Sequence, residues 1–439
     1  MLVYLRLFGK DLAHWLYRWL LAADPHWLID GFPMPSPPAT PNWERVRRPD
    51  RSVALVLIPR QQGEAMNRLR HAIEQDVQRK RYDGAVTIVG VGGKVVFEHA
   101  IGFADRVAAK PMRLDSVFPI FSISKALNAV LVLQRVERGE ASLNTFVSEI
   151  IPEFGSRGKQ RITIGQLLSH TGGLPASFPA VPAEKIGDLD AVVAAICDVG
   201  LEAAPGEEVS YSPIMAHAVL GQVVRRLDGG KRKLRDIARE ELLEPLGMAD
   251  TALGATAALA PRAVMPRVSD ESPGMFDASA LVGLGLAILN PKLDIEIPAG
   301  GFVSTGADVF RFAEAMRLGG AWNGKRVLSK PMVELATSNH TDTRHNDLWT
   351  YARELKGWPL FPANLGLGFF LRGEGLHPTY FGHLSTPGTY GAMGAGTTNF
   401  WVDPVRGITM VCLTTGFLEE GNSALRFQRL SDVAIAEFA

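Results

Sequence analysis

Residues 118–131 read FPIFSISKALNAVL and hold the most informative spacing of the chain, Ser122 followed three positions later by Lys125. This spacing places a hydroxyl and an amine one helical turn apart on the same face. The apolar residues on both sides predict the start of a buried helix. A serine hydroxyl becomes a good nucleophile when an adjacent base takes its proton, and burial prepares a lysine for that role by lowering its pKa from about 10.4. Taken alone, the spacing still favours a helix-capping serine followed by a lysine that reaches solvent.

The same spacing occurs again at Ser156 and Lys159. The surrounding segment, GSRGKQ at residues 155–160, is rich in glycine and polar side chains. Such a composition predicts a solvated loop. A loop of this kind offers no way to remove water from a lysine, so we interpret the second copy as a chance occurrence.

The composition excludes several classes of protein. The chain has 439 residues, with 46 Lys and Arg against 46 Asp and Glu, and its pI is about 7.2. A neutral chain lacks the basic surface on which nucleic-acid binding depends. The sequence contains no P-loop, no Gly-x-Ser-x-Gly elbow, no Cys-x-x-Cys and no His-Glu-x-x-His. The elbow carries the serine of α/β-hydrolases, whereas the other patterns carry nucleotide, zinc and thiol chemistry, and we therefore predict no metal and no cofactor. Cys197 and Cys412 lie in apolar patterns and are predicted to be buried free thiols.

The N-terminal segment has a separate character. Residues 1–30 combine a stripe of Leu, Phe and Trp with a basic stripe at helical spacing, which predicts an amphipathic helix. Docking of this helix on its own protein is favoured over peripheral contact with an anionic membrane, which stays an alternative. Its charges interrupt any secretion signal, so we expect a cytoplasmic protein, with association with a membrane as the alternative. Residues 31–50 are rich in proline and predict an extended linker.

The apolar periodicity predicts strands at both ends of the remaining chain and helices between them. A helix is expected over 66–80, a hairpin of strands 85–89 and 94–98 around Gly92 and Gly93, and helices through most of 124–250. Strands are expected again at 399–402 and 408–414, and a helix at 423–438. This order predicts an α+β fold in which one antiparallel sheet is built from both chain ends and a helical region is inserted into it.

Six segments carry a resemblance to a known family. In chain order they are FSISK (121–125), LLSHTGGLP (167–175), PG with YS (205–206 and 211–212), EPLGM (244–248), GGFVST (300–305), and PGTYG with FWVDP (387–391 and 400–404). Together they resemble the serine β-lactamase and penicillin-binding-protein superfamily, specifically its class C-like esterases, the family VIII carboxylesterases. The resemblance implies a β-lactamase/DD-peptidase-like catalytic domain over 51–439, with a sheet-containing part at 51–120 and 296–439 and a helical part at 121–295.

The resemblance also implies roles for individual residues. Ser122 corresponds to the acyl-accepting nucleophile and Lys125 to its proton partner. Tyr211 corresponds to the second member of the base pair. The backbone N–H groups of Ser122 and Ala395 correspond to the oxyanion hole.

Two departures from the family pattern concern substrate binding. Where β-lactamases carry Tyr-x-Asn, this chain has Pro213, which offers no side-chain amide. Where they carry Lys-Thr-Gly, it has Ala392, Met393 and Gly394, without a cation or hydroxyl to hold a carboxylate. A shift of two residues would place Tyr390 there instead. Both alignments disfavour recognition of a carboxylate.

Two histidines accompany these segments. His170 lies in the LLSHTGGLP stretch and is predicted to be a hydrogen-bonded core residue. Many relatives place a histidine near the third motif, so His383 is a candidate site residue, although a loop position ahead of the strand is favoured.

These observations predict a cytoplasmic serine hydrolase that cleaves carboxylic esters through an acyl-enzyme on Ser122, with a small-molecule ester or acyl donor as its partner and no cofactor. Two alternatives stay open. An acyltransferase would use the same intermediate on a thioester or secondary metabolite, and a non-catalytic scaffold would have retained the fold alone. The sequence makes no prediction of oligomeric state.

Overall fold

The computed structural model describes residues 68–439 with the exception of residues 271, 273 and 275, and the statements below concern these residues. The N-terminal helix and the linker predicted for residues 1–50 lie outside the described residues, as does the boundary at residue 50. The division of the chain into parts therefore stays a prediction.

The centre of the fold is a seven-stranded sheet. Its strands are β1 (Gly84–Val91), β2 (Lys94–Asp105), β3 (Lys110–Pro111), β4 (Phe370–Leu371), β5 (Tyr390–Gly394), β6 (Thr398–Asp403) and β7 (Ile408–Thr414). Their order is β4-β5-β6-β7-β1-β2-β3, and every neighbouring pair is antiparallel. The two ends of the chain meet in the middle of the sheet, where Ala85 of β1 pairs with Thr414 of β7. The predicted antiparallel sheet built from both chain ends is thus confirmed.

The hairpin between β1 and β2 follows from its turn residues. Gly92 and Gly93 have φ of +57° and +85°, a backbone region that a hairpin turn of this length requires and that glycine enters without steric cost. Strands β1 and β7 are buried along almost their whole length, which agrees with their nearly continuous runs of apolar and β-branched residues.

Seven longer helices surround the sheet or form the inserted region. They are α1 (Arg68–Gln78), α2 (Ser124–Glu137), α3 (Leu189–Cys197), α4 (Met215–Leu227), α5 (Ala278–Leu289), α6 (Gly306–Arg317) and α7 (Glu420–Phe438). Shorter helices cover Val147–Ile150, Ile164–Leu168, Leu234–Ala238, Glu244–Leu246, Lys330–Ala336 and Thr350–Lys356. Single 3₁₀ turns lie at Phe121–Ile123, Pro152–Phe154, Ala183–Lys185, Ala260–Arg262 and Asp347–Trp349, and a π turn at Arg239–Leu243.

Three small sheets complete the secondary structure. Phe302–Ser304 pairs with Phe118–Pro119 and with Ala252–Leu253, Gly416–Phe417 pairs with Arg267–Val268, and Ala321–Trp322 pairs with Lys325–Arg326. The first of these sheets holds the segment that leads into Ser122.

The two faces of the sheet are covered by different helices. Helix α6 packs against β1, β6 and β7, and the ring of Phe312 meets that of Phe400 edge to face at 5.8 Å between centroids. Helices α1 and α7 pack against each other and share a second core with Trp401 and Met410. Alternate residues of a strand point to opposite faces, so strands β1, β5, β6 and β7 are buried on both sides, whereas β2 is partly exposed.

The segment around Lys159 corrects one prediction. Lys159 is fully buried, and its Nζ donates to the carbonyl oxygens of Cys197, at 3.0 Å, and Val199. Ser156 also donates its hydroxyl proton to the carbonyl oxygen of Cys197. The segment is a loop in which Arg157, Gly158 and Gln160 are exposed, as predicted. The prediction that it cannot remove water from a lysine was wrong, because the carbonyl end of α3 packs on it and a cation there satisfies the unpaired carbonyls of the last helical turn.

Two further predictions concern the cysteines and the membrane. Cys197, on α3, and Cys412, on β7, are both buried free thiols, as predicted. Within residues 68–439, as far as they are described, no helix combines the length and apolar character that crossing a membrane requires.

Candidate active site

Ser122 sits in a strained turn at the start of α2. The 3₁₀ turn Phe121–Ile123 runs directly into the helix, and Phe121 has a φ of +46°, which non-glycine residues rarely adopt. Edge-to-face packing of the Phe121 ring on Phe417, with centroids 5.3 Å apart, helps to hold the turn. Backbone strain of this kind is frequent at functional sites. The Ser122 side chain is half-buried at the positive end of the helix.

Lys125 lies one turn further along α2 and is almost completely buried. Its Nζ is 3.0 Å from the hydroxyl oxygen of Ser122, 2.8 Å from the carbonyl oxygen of Pro213 and 2.8 Å from the carbonyl oxygen of Ala299. Removal of water lowers the pKa of Lys125 to about 7. The amine is therefore neutral in a large fraction of molecules at neutral pH.

The three contacts of Lys125 determine the direction of its hydrogen bonds. A neutral amine has two N–H groups and one lone pair. The carbonyl oxygens of Pro213 and Ala299 can only accept, so they take the two protons. The lone pair then faces the Ser122 hydroxyl, which is arranged to donate its proton to Lys125. This is the geometry of a nucleophile beside its base.

Tyr211 completes the polar group around Ser122. Its side chain is buried and interacts with the side chain of Ser122, and its ring centroid is 5.1 Å from the Nζ of Lys125. Burial raises the pKa of Tyr211 above its ordinary value. Tyr211 is thus a neutral phenol that can donate a proton to Ser122, and the structure places all three residues of the predicted group together.

Two buried histidines lie behind this group. The ring of His170 is 4.6 Å from that of Tyr211, and its Nδ1 accepts a hydrogen bond from the N–H of Ser212. Burial, together with Lys125, lowers the pKa of His170 to about 3. His217 is also fully buried, contacts Asn128 through Nδ1, and has a pKa lowered in the same way. Both rings are neutral and far too weakly basic to replace Lys125.

Strand β5 approaches the nucleophile turn very closely at Gly394. A Cβ atom there would lie 2.2 Å from the carbonyl oxygen of Ile120, so only glycine fits. The preceding residues Ala392 and Met393 are buried on the same strand, whereas Tyr390 packs edge to face on Phe369 in the core. This placement favours Ala392, Met393 and Gly394 as the counterpart of the third motif.

The peptide between Gly394 and Ala395 is held in one orientation. The carbonyl oxygen of Gly394 accepts hydrogen bonds from the N–H of Thr397 at 2.9 Å and from the hydroxyls of Thr397 and Thr398 at 3.2 and 3.3 Å. The N–H of a trans peptide points away from its carbonyl. The N–H of Ala395, whose φ is +46°, is therefore turned away from these threonines. Ala395 and Ser122 line the same cleft.

The hydroxyl of Thr398 contacts both the Gly394–Ala395 peptide and the segment that leads into Ser122. It lies 3.0 Å from the carbonyl oxygen of Ile120, two residues before Ser122. We expect Thr398→Val to lower kcat about 10-fold with a smaller change in KM, because the resemblance predicts that the Ala395 N–H is an oxyanion donor and a misaligned donor weakens transition-state binding. Steady-state kinetics with p-nitrophenyl butyrate measure both constants. Thr398→Ser keeps the hydroxyl and should restore kcat, and a Ser variant as slow as the Val variant would show that the hydroxyl has no positioning role.

The cleft beside Ser122 has a volume of about 880 Å³ and is largely apolar. Its aromatic lining consists of Phe121, Phe178, Tyr211, Phe276, Tyr380 and Phe417. Asp270, Glu419 and Glu420 also line it, and the described lining residues include no Lys, Arg or His. A smaller cavity of about 280 Å³ borders Ser122, Lys125 and Ala392. Among its described lining residues the larger cleft offers no cation to a substrate carboxylate, and the lysine that lines the smaller cavity is Lys125 itself.

The remaining candidates lie apart from the cleft. The Nε2 of His383 is 2.9 Å from the carbonyl oxygen of His377, and His383 is not among the residues that line either cavity beside Ser122. Within the described part of the chain, no group of three His, Cys, Asp or Glu side chains is placed to hold a metal ion.

The structure shows positioning contacts in the site that the sequence did not reveal. The carbonyls of Pro213 and Ala299 hold Lys125, and Thr398 holds the Ala395 peptide. Every residue has a backbone carbonyl, so the sequence does not show which carbonyls accept a hydrogen bond in the site. His217 carried a faint signal, since it is a lone histidine in the otherwise apolar first two turns of α4.

Comparison with solved structures shows similar folds. A penicillin-binding-protein homologue from Caulobacter crescentus has a TM-score of 0.70 at 24% identity, covering 85% of this chain and 98% of that one. A family VIII carboxylesterase has a TM-score of 0.68 at 21% identity, covering 84% and 96%. At such identities the likeness shows the fold alone.

Sequence comparison shows the family. Penicillin-binding protein 4 of Amycolatopsis lactamdurans is 30% identical over 76% of this chain and 81% of its own length. Esterase/beta-lactamase LipL of Mycobacterium tuberculosis is 28% identical over 75% and 76%. Esterase EstB of Burkholderia gladioli is 34% identical over 42% of this chain, and the match spans half of EstB. The sequence model described as Beta-lactamase matches residues 69–434, and the chain therefore belongs to the Beta-lactamase family.

Proposed function

We propose that this protein is a serine hydrolase that cleaves carboxylic esters through an acyl-enzyme on Ser122. One observation carries the proposal: the buried amine of Lys125, with a pKa lowered to about 7, is 3.0 Å from the Ser122 hydroxyl and is held by two carbonyl acceptors. This arrangement leaves the amine's lone pair for the serine proton. A lysine with a purely structural role would not need a free lone pair directed at a hydroxyl.

Acylation follows from these contacts. Lys125 takes the proton of Ser122, and the serine oxygen forms a bond to the ester carbonyl carbon. The N–H groups of Ser122 and Ala395 stabilise the negative oxygen of the tetrahedral intermediate. The bond to the alcohol oxygen then breaks. Tyr211 donates its proton to that oxygen and recovers one from Lys125, so that the products are the free alcohol and the acyl-serine.

Deacylation reverses the roles. A water molecule gives its proton to the neutral Lys125, directly or through Tyr211, and its oxygen bonds to the acyl carbon. The bond to Ser122 breaks and the serine oxygen regains the proton. The carboxylic acid leaves and the free enzyme is restored without any cofactor.

Two observations support an ester rather than a β-lactam or peptide substrate. The described lining of the cleft carries carboxylates and no cation, which disfavours a substrate with its own carboxylate. Two of the curated relatives, EstB and LipL, bear the name esterase. Both observations agree with an uncharged ester.

Acyl transfer stays a second candidate, since it differs only in the group that attacks the acyl-enzyme. One similar structure is described as a hydrolase with promiscuous acyltransferase activity, at 21% identity and a TM-score of 0.65. The scaffold hypothesis has less support, because the Nζ of Lys125 is 3.0 Å from the Ser122 hydroxyl and the buried ring of Tyr211 lies beside it.

The test is a pre-steady-state experiment on the purified full chain. We expect a burst of p-nitrophenolate from p-nitrophenyl butyrate, and a fluorophosphonate adduct that peptide mass analysis assigns to Ser122. Added butanol separates the two reactions, because an acyltransferase forms butyl butyrate in preference to butyrate. Absence of both the burst and the adduct would refute the acyl-enzyme.

A further inference from the structure

Tyr380 is a buried residue of the cleft lining whose hydroxyl is unpartnered among the described residues. Only 3% of the residue is exposed, and its hydroxyl oxygen has no hydrogen-bond partner among the described residues. A buried donor without a partner is costly, and native proteins retain few of them. Because Tyr380 lines the same cleft as Ser122, a bound substrate is the natural partner for this hydroxyl.

The rest of Tyr380 is held rigidly. Its carbonyl oxygen accepts hydrogen bonds from the side chains of Asn399, at 3.0 Å, and Ser431, at 3.3 Å. Its ring packs on Trp349, with 5.2 Å between centroids, and edge to face on Phe370 at 6.4 Å. The hydroxyl is therefore presented in a fixed position, which is what discrimination between substrates requires.

The surroundings of the hydroxyl select the kind of group it can bind. Burial, together with Glu420, Tyr211 and Glu419, raises the pKa of Tyr380 well above its ordinary value. The hydroxyl thus stays protonated and acts as a donor. All three of these neighbours line the cleft, and two of them are acidic, so an anionic acceptor is disfavoured there.

We propose that the Tyr380 hydroxyl is a substrate-binding donor that hydrogen-bonds an uncharged acceptor oxygen, a carbonyl or an ether, in the body of an otherwise apolar ester. The inference rests on the proposed esterase function and deepens it by naming the substrate class. A hydrocarbon ester leaves the hydroxyl buried without a partner, whereas an oxygen at the right position satisfies it. Sites built around a buried polar group reject analogues that lack the complementary group.

The test uses Tyr380→Phe, which removes only the hydroxyl, with two pairs of esters. In the acyl pair, p-nitrophenyl 4-oxopentanoate is compared with p-nitrophenyl 4-methylpentanoate. In the alcohol pair, 2-methoxyethyl butyrate is compared with butyl butyrate. We expect the substitution to lower kcat/KM about 10-fold for the oxygen-bearing member of one pair and less than about twofold for its partner. The pair that responds tells which part of the ester meets Tyr380.

Controls separate this inference from the function on which it rests. Because the hydroxyl has no described partner, Tyr380→Phe should not lower the melting temperature, and fluorophosphonate should label the variant as fast as the wild type. Tyr390→Phe, which alters a tyrosine in the core, should leave both pairs unchanged. Equal effects on both members of each pair, or no effect, would overturn the inference alone. A wild type that is neither labelled nor active on any ester would overturn both.

Discussion

Replacing Ser122 with alanine should lower kcat/KM for p-nitrophenyl esters by at least about 10⁴-fold. Alanine has no oxygen to form the acyl-enzyme, and water would have to attack the ester directly. The fold should survive, because the Ser122 side chain is half-buried and its described hydrogen bond joins Lys125 within the site. Steady-state kinetics and the loss of the fluorophosphonate adduct check this prediction.

Ser156→Ala provides a matched control from within the chain. Ser156 has the same spacing to Lys159 that Ser122 has to Lys125, but it donates to the carbonyl oxygen of Cys197. We expect this variant to keep full activity and to lose about 1 kcal/mol of unfolding free energy. If Ser122→Ala kept more than about 1% of the wild-type kcat/KM, or if Ser156→Ala lost a comparable amount, the assignment of the nucleophile would be wrong.

The two copies of the Ser-x-x-Lys spacing show what the local sequence can and cannot predict. Around Ser122 the apolar residues of α2 predict burial correctly, because the helix carries its own apolar face into the core. Around Lys159 the local composition predicts a loop in water, which is correct for Arg157, Gly158 and Gln160 and wrong for Lys159 itself. The burial of Lys159 comes from the end of α3, about forty residues further along the chain. Local pattern cannot report a contact made by a distant segment.

The same distinction applies to the fold and to the cleft. The sheet is predictable because β1 and β7 are long apolar strands and because Gly92 and Gly93 mark the hairpin. The unpartnered hydroxyl of Tyr380 is not, since it depends on Trp349 and on side chains of β6 and α7 that meet only in the folded chain. The spacing of a motif locates reacting atoms that are close in sequence. Groups from distant segments reach the site only through tertiary packing, which the motif does not show.

Replacing Lys125 with methionine should lower kcat/KM by about 10³-fold or more, because the proton acceptor is lost while the nucleophile remains. In the wild type, kcat/KM should rise with pH through about 7, the pKa of Lys125, since only the neutral amine accepts the serine proton. The variant should lose this rise. Lys159→Met should keep both the activity and the pH profile, because the described hydrogen bonds of Lys159 go to backbone carbonyls near α3, away from Ser122.

Lys125→Met should also change stability in a direction that identifies a buried base. The pKa of Lys125 falls from 10.5 to about 7 on folding, so between these values the unfolded chain binds more protons and the wild type becomes more stable as pH rises. Below pH 7 the burial of the amine costs the wild type on the order of a few kcal/mol. Relative to the wild type, the variant's free energy of unfolding should therefore be highest near pH 6 and decline toward pH 10, as measured by urea unfolding. A difference that does not vary with pH would mean that Lys125 keeps its ordinary pKa, and a lysine that is still charged at pH 7 could not act as the base for Ser122.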